Sequence, residues 1–230
     1  MSAIPQLDLA RALARFETEL AERWRRLLER TAFVGGDEVA EFERSFAAFL
    51  EVPESVGVAN GTDALVLALR ALDLAPGDEV IVPAFTFIAT AVAVRLAGGA
   101  PVFADVEPAT LNLDATSAAT KVGPRTVGIL PVHLYGRPCD LDALAALAER
   151  HGLWMIEDAA QAHGARWHGR RVGSFGRLAT WSFYPSKNLG CFGDGGAVTG
   201  EPALLARLRR LANHGRTAHY EHAEVGTNSR

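Results

Sequence analysis

Two cysteines in 230 residues, Cys139 and Cys191, leave no room for a disulfide framework, and neither sits at the Cys-x-x-Cys or Cys/His spacing that a zinc module needs. Both read as reduced thiols, and no metal site is expected. Charge of one sign is also lacking: 23 Lys and Arg against 27 Asp and Glu give a net charge of -4, with no electrostatic reason for a nucleic-acid or membrane partner. No stretch reaches the roughly 18 uninterrupted apolar residues that span a bilayer. The first eight residues have neither the basic start nor the apolar core of a signal peptide. These absences point to a cytoplasmic protein that handles small molecules. What is present, 49% hydrophobic and 22% charged residues, is globular material sufficient for one large core.

Leu9, Leu13, Phe16, Leu20, Trp24 and Leu27 recur at helical spacing and predict one amphipathic helix over 9–30. Val39, Phe42, Phe46 and Phe49 predict another over 37–50, with Gly35-Gly36 as the breaker between them. The expected organisation is a helical segment over 1–35 and a main domain over 36–230. Beyond Pro53 the rhythm changes. Short β-rich runs at 55–59, 79–82, 101–104, 127–132, 153–156, 179–183 and 195–199 alternate with helical stretches at 63–72, 86–96, 141–151 and 202–213. That alternation predicts an α/β fold whose mostly parallel sheet is covered on both faces.

In open α/β sheets ligands collect at the carboxyl ends of the strands, which singles out three places. Asn60-Gly61-Thr62-Asp63 joins a strand to a helix, so its free N–H groups and glycine could receive an anion, or Thr62 or Asp63 could simply cap the helix. Glu157-Asp158 follows an apolar run with Gln161 one turn on; a carboxylate there is either a solvated turn residue or a ligand-facing one. Lys187 lies between two predicted strands in Ser182-Phe183-Tyr184-Pro185-Ser186-Lys187-Asn188-Leu189-Gly190. Most lysines are solvated charges, and no Gly-x-x-x-x-Gly precedes this one, so an NTPase loop is disfavoured. A dinucleotide oxidoreductase is disfavoured because no Gly-x-Gly-x-x-Gly follows the first strand.

Taken in order, Asn-Gly-Thr-Asp-Ala-Leu, Pro-Ala-Phe-Thr-Phe-Ile-Ala-Thr, Glu-Asp-Ala-Ala-Gln-Ala-His-Gly-Ala, Ser-Phe-Tyr-Pro-Ser-Lys-Asn-Leu-Gly, Gly-Asp-Gly-Gly-Ala-Val and Gly-Thr-Asn-Ser-Arg resemble the DegT/StrS family of pyridoxal-phosphate-dependent sugar aminotransferases. The resemblance is nearly colinear over almost the whole chain. It implies the aspartate-aminotransferase-like architecture, fold type I, and pyridoxal 5'-phosphate as cofactor. Lys187 then matches the lysine that carries the cofactor as a Schiff base, and Asp158 the carboxylate that pairs with the pyridine nitrogen. Gly61, Thr62, Asp63 and Ser182 match the phosphate site, Phe87 the aromatic that stacks on the ring, and Gln161 the residue near the phenolic oxygen. Asn228 matches a residue that reaches the neighbouring subunit's site, which implies a homodimer with shared active sites. The implied reaction transfers an amino group, with glutamate as donor, to a nucleoside-diphosphate keto sugar, at the third carbon by the local similarity of the last residues. A non-catalytic or regulatory protein that binds the same cofactor is the alternative. The family normally continues into a smaller C-terminal domain, so the expectation is a large domain without it.

Overall fold

A computed structural model describes residues 4–230; the first three residues of the predicted 1–35 segment lie outside them. The chain divides into two units, Met1–Phe42 and Glu43–Arg230. The first contains α1 (Leu9–Leu13), α2 (Glu17–Arg30) and the opening turns of α3 (Gly36–Leu50). The single helix expected over 9–30 is therefore interrupted. Phe16 leaves helical geometry at φ -116°, ψ 2°, and its N–H closes a tight turn on the Leu13 carbonyl at 2.9 Å. Within this unit Arg23 reaches Glu19 at 3.2 Å and Glu38 at 3.1 Å. The divide falls inside α3, not at the Gly35-Gly36 breaker. From Glu43 onward α3 is tied to the sheet: Ser55 Oγ donates to the Glu43 carbonyl and Gly57 N–H to its carboxylate, each at 2.7 Å.

The second unit continues through β1 (Ser55–Val58), α4 (Gly61–Ala71), β2 (Glu79–Pro83), α5 (Ala89–Leu96), β3 (Ala100–Ala104), α6 (Ala115–Thr120) and β4 (Thr126–Ile129). A 3-10 turn at Leu134–Gly136 leads to α7 (Leu141–His151), β5 (Trp154–Asp158), the hairpin β6 (Arg166–Trp167) and β7 (Arg170–Arg171), β8 (Leu178–Ser182) and β9 (Gly196–Gly200). Last come α8 (Pro202–Ala212) and a second hairpin, β10 (Arg216–Ala218) and β11 (Glu221–His222). The seven-stranded sheet runs β1-β9-β8-β5-β4-β2-β3. Pairings from β8 to β3 are parallel, and β9 alone runs antiparallel to both of its neighbours. The mostly parallel mixed sheet is the fold-type-I arrangement expected.

Apolar residues sort to two sides of this sheet. Leu65, Leu67 and Leu69 of α4, Val94 of α5 and Leu205 and Leu208 of α8 pack with Val56, Val80, Ile156 and Val198. On the other side Phe46 and Leu50 of α3, with Leu141, Leu144 and Leu147 of α7, pack with Ile81, Ile129, Met155 and Trp181. Alternation along a strand sends successive side chains to opposite faces, so a strand buried on both reads as a continuous apolar run. β5 shows the result: Met155 serves one core, Ile156 the other, and the two carboxylates that follow part company in the same way. α6 and the two hairpins were not foreseen.

Parallel topology brings the ends of β2, β4, β5 and β8 to one edge of the sheet. β1, parallel to β8 through the intervening β9, delivers the start of α4 there as well.

Candidate active site

At this edge Asn60 caps α4, its Oδ1 accepting the Asp63 N–H at 2.8 Å. The N–H groups of Gly61 and Thr62 belong to the first turn, where no intrahelical acceptor exists, so they and the positive end of the helix dipole are available to an anion. Gly61 lies so close to the end of β8 that a Cβ there would stand 2.7 Å from Ser182 Cβ. Only glycine permits that approach, which sets the Ser182 hydroxyl beside the helix start. Asp63 has a different engagement: its carboxylate accepts a hydrogen bond from Ser229 Oγ at 2.6 Å, and Ser229 Oγ in turn accepts the Ala59 N–H at 3.1 Å. With its N–H taken by Asn60 as well, Asp63 secures the helix start from behind.

Asp158 closes β5 and is 6% exposed. One carboxylate oxygen accepts from Thr90 Oγ1 of α5 and the other from the Ala160 N–H, both at 3.2 Å. Burial pushes its pKa up, while these two donors and the charge of Lys187 pull the other way. Lys187 follows β8 on a loop turned by its own N–H, which donates to the Tyr184 carbonyl at 2.8 Å. Its side chain is half-buried. Burial lowers its pKa, and the attraction of Asp158 opposes the fall. The two side chains feel each other's charge across a gap, and no direct ion pair joins them.

Gln161, half-buried on the turn after Asp158, accepts the Tyr135 N–H on Oε1 at 2.8 Å, so its amide N–H groups remain to donate elsewhere. Phe87, between β2 and α5, is 67% exposed and offers a bare aromatic face at the same sheet edge. His163 lies beneath the Lys187 loop among Phe46, Trp181 and Phe183, its ring centroid 5.4 Å from that of Trp181. Burial and then the Lys187 charge push its pKa down to about 4, so the imidazole is neutral. Asn228, next in sequence to the Ser229 that holds Asp63, is exposed and bridges to Asn213. Thr90, Tyr135 and Ser229 are supporting residues that the sequence did not single out. Thr90 and Ser229 carried a signal, as the last residue of the second motif and the fourth of the last, whereas Tyr135 carried none.

The arrangement combines an amine of lowered basicity, a buried carboxylate, a free aromatic face and a helix start open to an anion. It suits a flat heteroaromatic group that carries a phosphate. The pattern of the DegT/DnrJ/EryC1/StrS aminotransferase family matches residues 15–230. The chain belongs to this family. Among its DegT/DnrJ/EryC1/StrS relatives, the dTDP-3-amino-3,4,6-trideoxy-alpha-D-glucose transaminase of Streptomyces venezuelae is 50% identical over 228 residues, 99% of this chain and 60% of that protein. The UDP-N-acetyl-3-dehydro-alpha-D-glucosamine 3-aminotransferase of Acidithiobacillus ferrooxidans is 47% identical over 230 residues, 100% of this chain and 62% of that protein. In three dimensions the chain is similar to S. venezuelae DesV, crystallised in complex with a ketimine intermediate, with a TM-score of 0.97 and 50% identity over 100% of this chain and 62% of that one. The chain thus spans about three fifths of the length of these relatives. Among the described residues no helix is long and apolar enough to cross a membrane, and no group of three or more His, Cys, Asp or Glu is placed to hold a metal ion.

Proposed function

We propose that this chain is the large part of a pyridoxal-phosphate-dependent aminotransferase that converts a nucleoside-diphosphate keto sugar into its amino sugar at C-3, with glutamate as donor. The observation that carries the reading is the pair Lys187 and Asp158, electrostatically coupled but held apart at the edge where α4 begins. Helix start, hydroxyl, aromatic face, amine and carboxylate are the set that this cofactor needs. When bound, it supplies an aldehyde that condenses with amines and a protonated ring that accepts electrons.

The protein's own groups do the rest. Gly61 and Thr62, through their N–H groups, and Ser182, through its hydroxyl, would bind the phosphate, while Asp63 keeps that helix start in place. Phe87 would cover one ring face and exclude water. Asp158, anchored by Thr90 and Ala160, would hold a proton on the ring nitrogen, and the Gln161 amide would donate to the phenolic oxygen. Lys187 Nζ, less basic than a free lysine, would carry the cofactor and then take and return the substrate proton. The names of the two relatives above, both concerned with an amino or keto group at the third sugar carbon, support the position of amination.

A homodimer with shared sites completes the proposal. Ile88, Val92 and Leu96 form an exposed apolar stripe along α5, 65%, 37% and 66% accessible, and Asn228, exposed beside its bridge to Asn213, would reach a second copy. The unpaired thiols Cys139 and Cys191 favour the cytoplasm. Borohydride reduction of the protein incubated with pyridoxal phosphate, followed by peptide mass mapping, tests the reading. A pyridoxyl adduct on Lys187 is expected, followed by glutamate-dependent conversion of the unreduced cofactor. An adduct elsewhere, or none at saturating cofactor, overturns it.

A further inference from the structure

β5 ends in two adjacent carboxylates that serve opposite faces. Asp158 faces the site, whereas Glu157 turns inward and is 0% exposed. Its Oε1 accepts the N–H groups of Phe175 at 2.7 Å and Gly176 at 2.8 Å; its Oε2 accepts the Gly173 N–H at 2.7 Å and His133 Nε2 at 3.0 Å. The other ring nitrogen fixes the tautomer. His133 Nδ1 accepts the Cys139 N–H at 3.1 Å, so the imidazole proton sits on Nε2 and is donated to Glu157. A buried carboxylate with four donors has nothing left for a ligand; its charge is spent within the fold.

The backbone of the same histidine borders the site. His133 N–H donates to the Asp158 carbonyl at 3.0 Å, and Asp158 N–H donates to the Pro131 carbonyl at 2.9 Å. Two residues on, Tyr135 adopts a left-handed conformation at φ 53°, a strained state for a residue with a Cβ that persists only where its surroundings impose it. This is the residue whose N–H holds Gln161 Oε1. One segment, 131–139, therefore grips Asp158 through its backbone and Gln161 through its side chain.

We propose that the buried Glu157–His133 pair is a positioning device, which pins the 131–139 segment to β5 and so fixes Asp158 and Gln161 relative to each other. For the cofactor this rests on the roles given to those two residues above; for the fold it does not.

His133→Gln keeps an N–H donor for Glu157, whereas His133→Met keeps only the bulk. In the cofactor-free chain, His133→Met should speed amide exchange at Tyr135 by about tenfold, the effect of losing one buried hydrogen bond. With pyridoxal phosphate bound, the pH midpoint of the cofactor's absorbance should move by about one unit in the same variant. His133→Gln should stay near the parent in both. Should His133→Met not fold, Glu157→Asp, which retains the charge but retracts it, is read in the same two ways. A loss of thermal stability with Tyr135 exchange and the absorbance midpoint unchanged overturns the proposal, as does equal behaviour of the Gln and Met variants. A parent chain that takes up no cofactor defeats the assigned function, and the exchange comparison still decides the role of the pair.

Discussion

Asp158 and Lys187 are each moved away from their ordinary acidity by burial and partly restored by the other's charge. Removing one should therefore disturb its partner as well as its own task. Asp158→Asn preserves shape, its oxygen accepting from the Ala160 N–H and its NH2 donating to the Thr90 hydroxyl, so the cofactor should still be held; glutamate-dependent turnover should fall by about 10²–10³-fold, the scale for losing one preorganised electrostatic contact. A stopped-flow measurement of the half-reaction checks this, and an equal loss of cofactor affinity would mean that Asp158 merely binds. His163 makes a second case. Its pKa drops from 6.5 to about 4 through burial and the nearby lysine, against the opposing pull of the Ser182 backbone. Below the higher value the unfolded chain takes up a proton that the folded imidazole refuses. Stability is thus intact above pH 6.5 and drains as the pH falls to about 4, by roughly 3 kcal/mol in all. His163→Phe should flatten that acid limb in urea unfolding between pH 7.5 and about 5; an unchanged limb would place the titration elsewhere.

At the level of elements, the site depends on how closely α4 meets β8. Gly61→Ala would push a methyl to 2.7 Å from Ser182 Cβ, and the backbone must give, at a cost of about 1–3 kcal/mol. Because the displaced atoms belong to the helix start, weaker binding of pyridoxal phosphate in a fluorescence titration should accompany the lower melting temperature; a fall in stability alone would separate α4 from the phosphate. This junction was legible in the sequence because glycine between a strand and a helix has a stereochemical reason. The strand order of chemistry was legible too, since Asp158, Ser182 and Lys187 all follow runs of buried apolar residues. Other features were not. Thr90 closed one of the quoted motifs but was given no role, because its meeting with Asp158 exists only after α5 packs on the sheet. Tyr135 takes a conformation that no side chain of its kind prefers, so local propensity argued against it. The two-residue strands of β6, β7 and β11 are too short for any periodicity, and α6, rich in Ala and Thr, has little apolar contrast. In Leu9–Arg30 a regular apolar spacing concealed a break at Phe16, because spacing reports which face is apolar and not whether the backbone is continuous.

For the molecule as a whole, the α5 stripe is the feature that bears on assembly. Replacing Ile88, Val92 and Leu96 together by Glu puts like charges where apolar contact is proposed, and sedimentation should shift from dimer to monomer. If the triple variant still sediments as a dimer, the second copy sits elsewhere. The link from Ser229 to Asp63 spans 166 positions of chain, and it is one of the contacts that steady the start of α4. A ribosome emitting this protein releases the amine at 187 and the acid at 158 well before that hydroxyl emerges. The anion cradle, though encoded early, is secured only once residue 229 has emerged, so a nascent chain should capture its coenzyme no sooner than that.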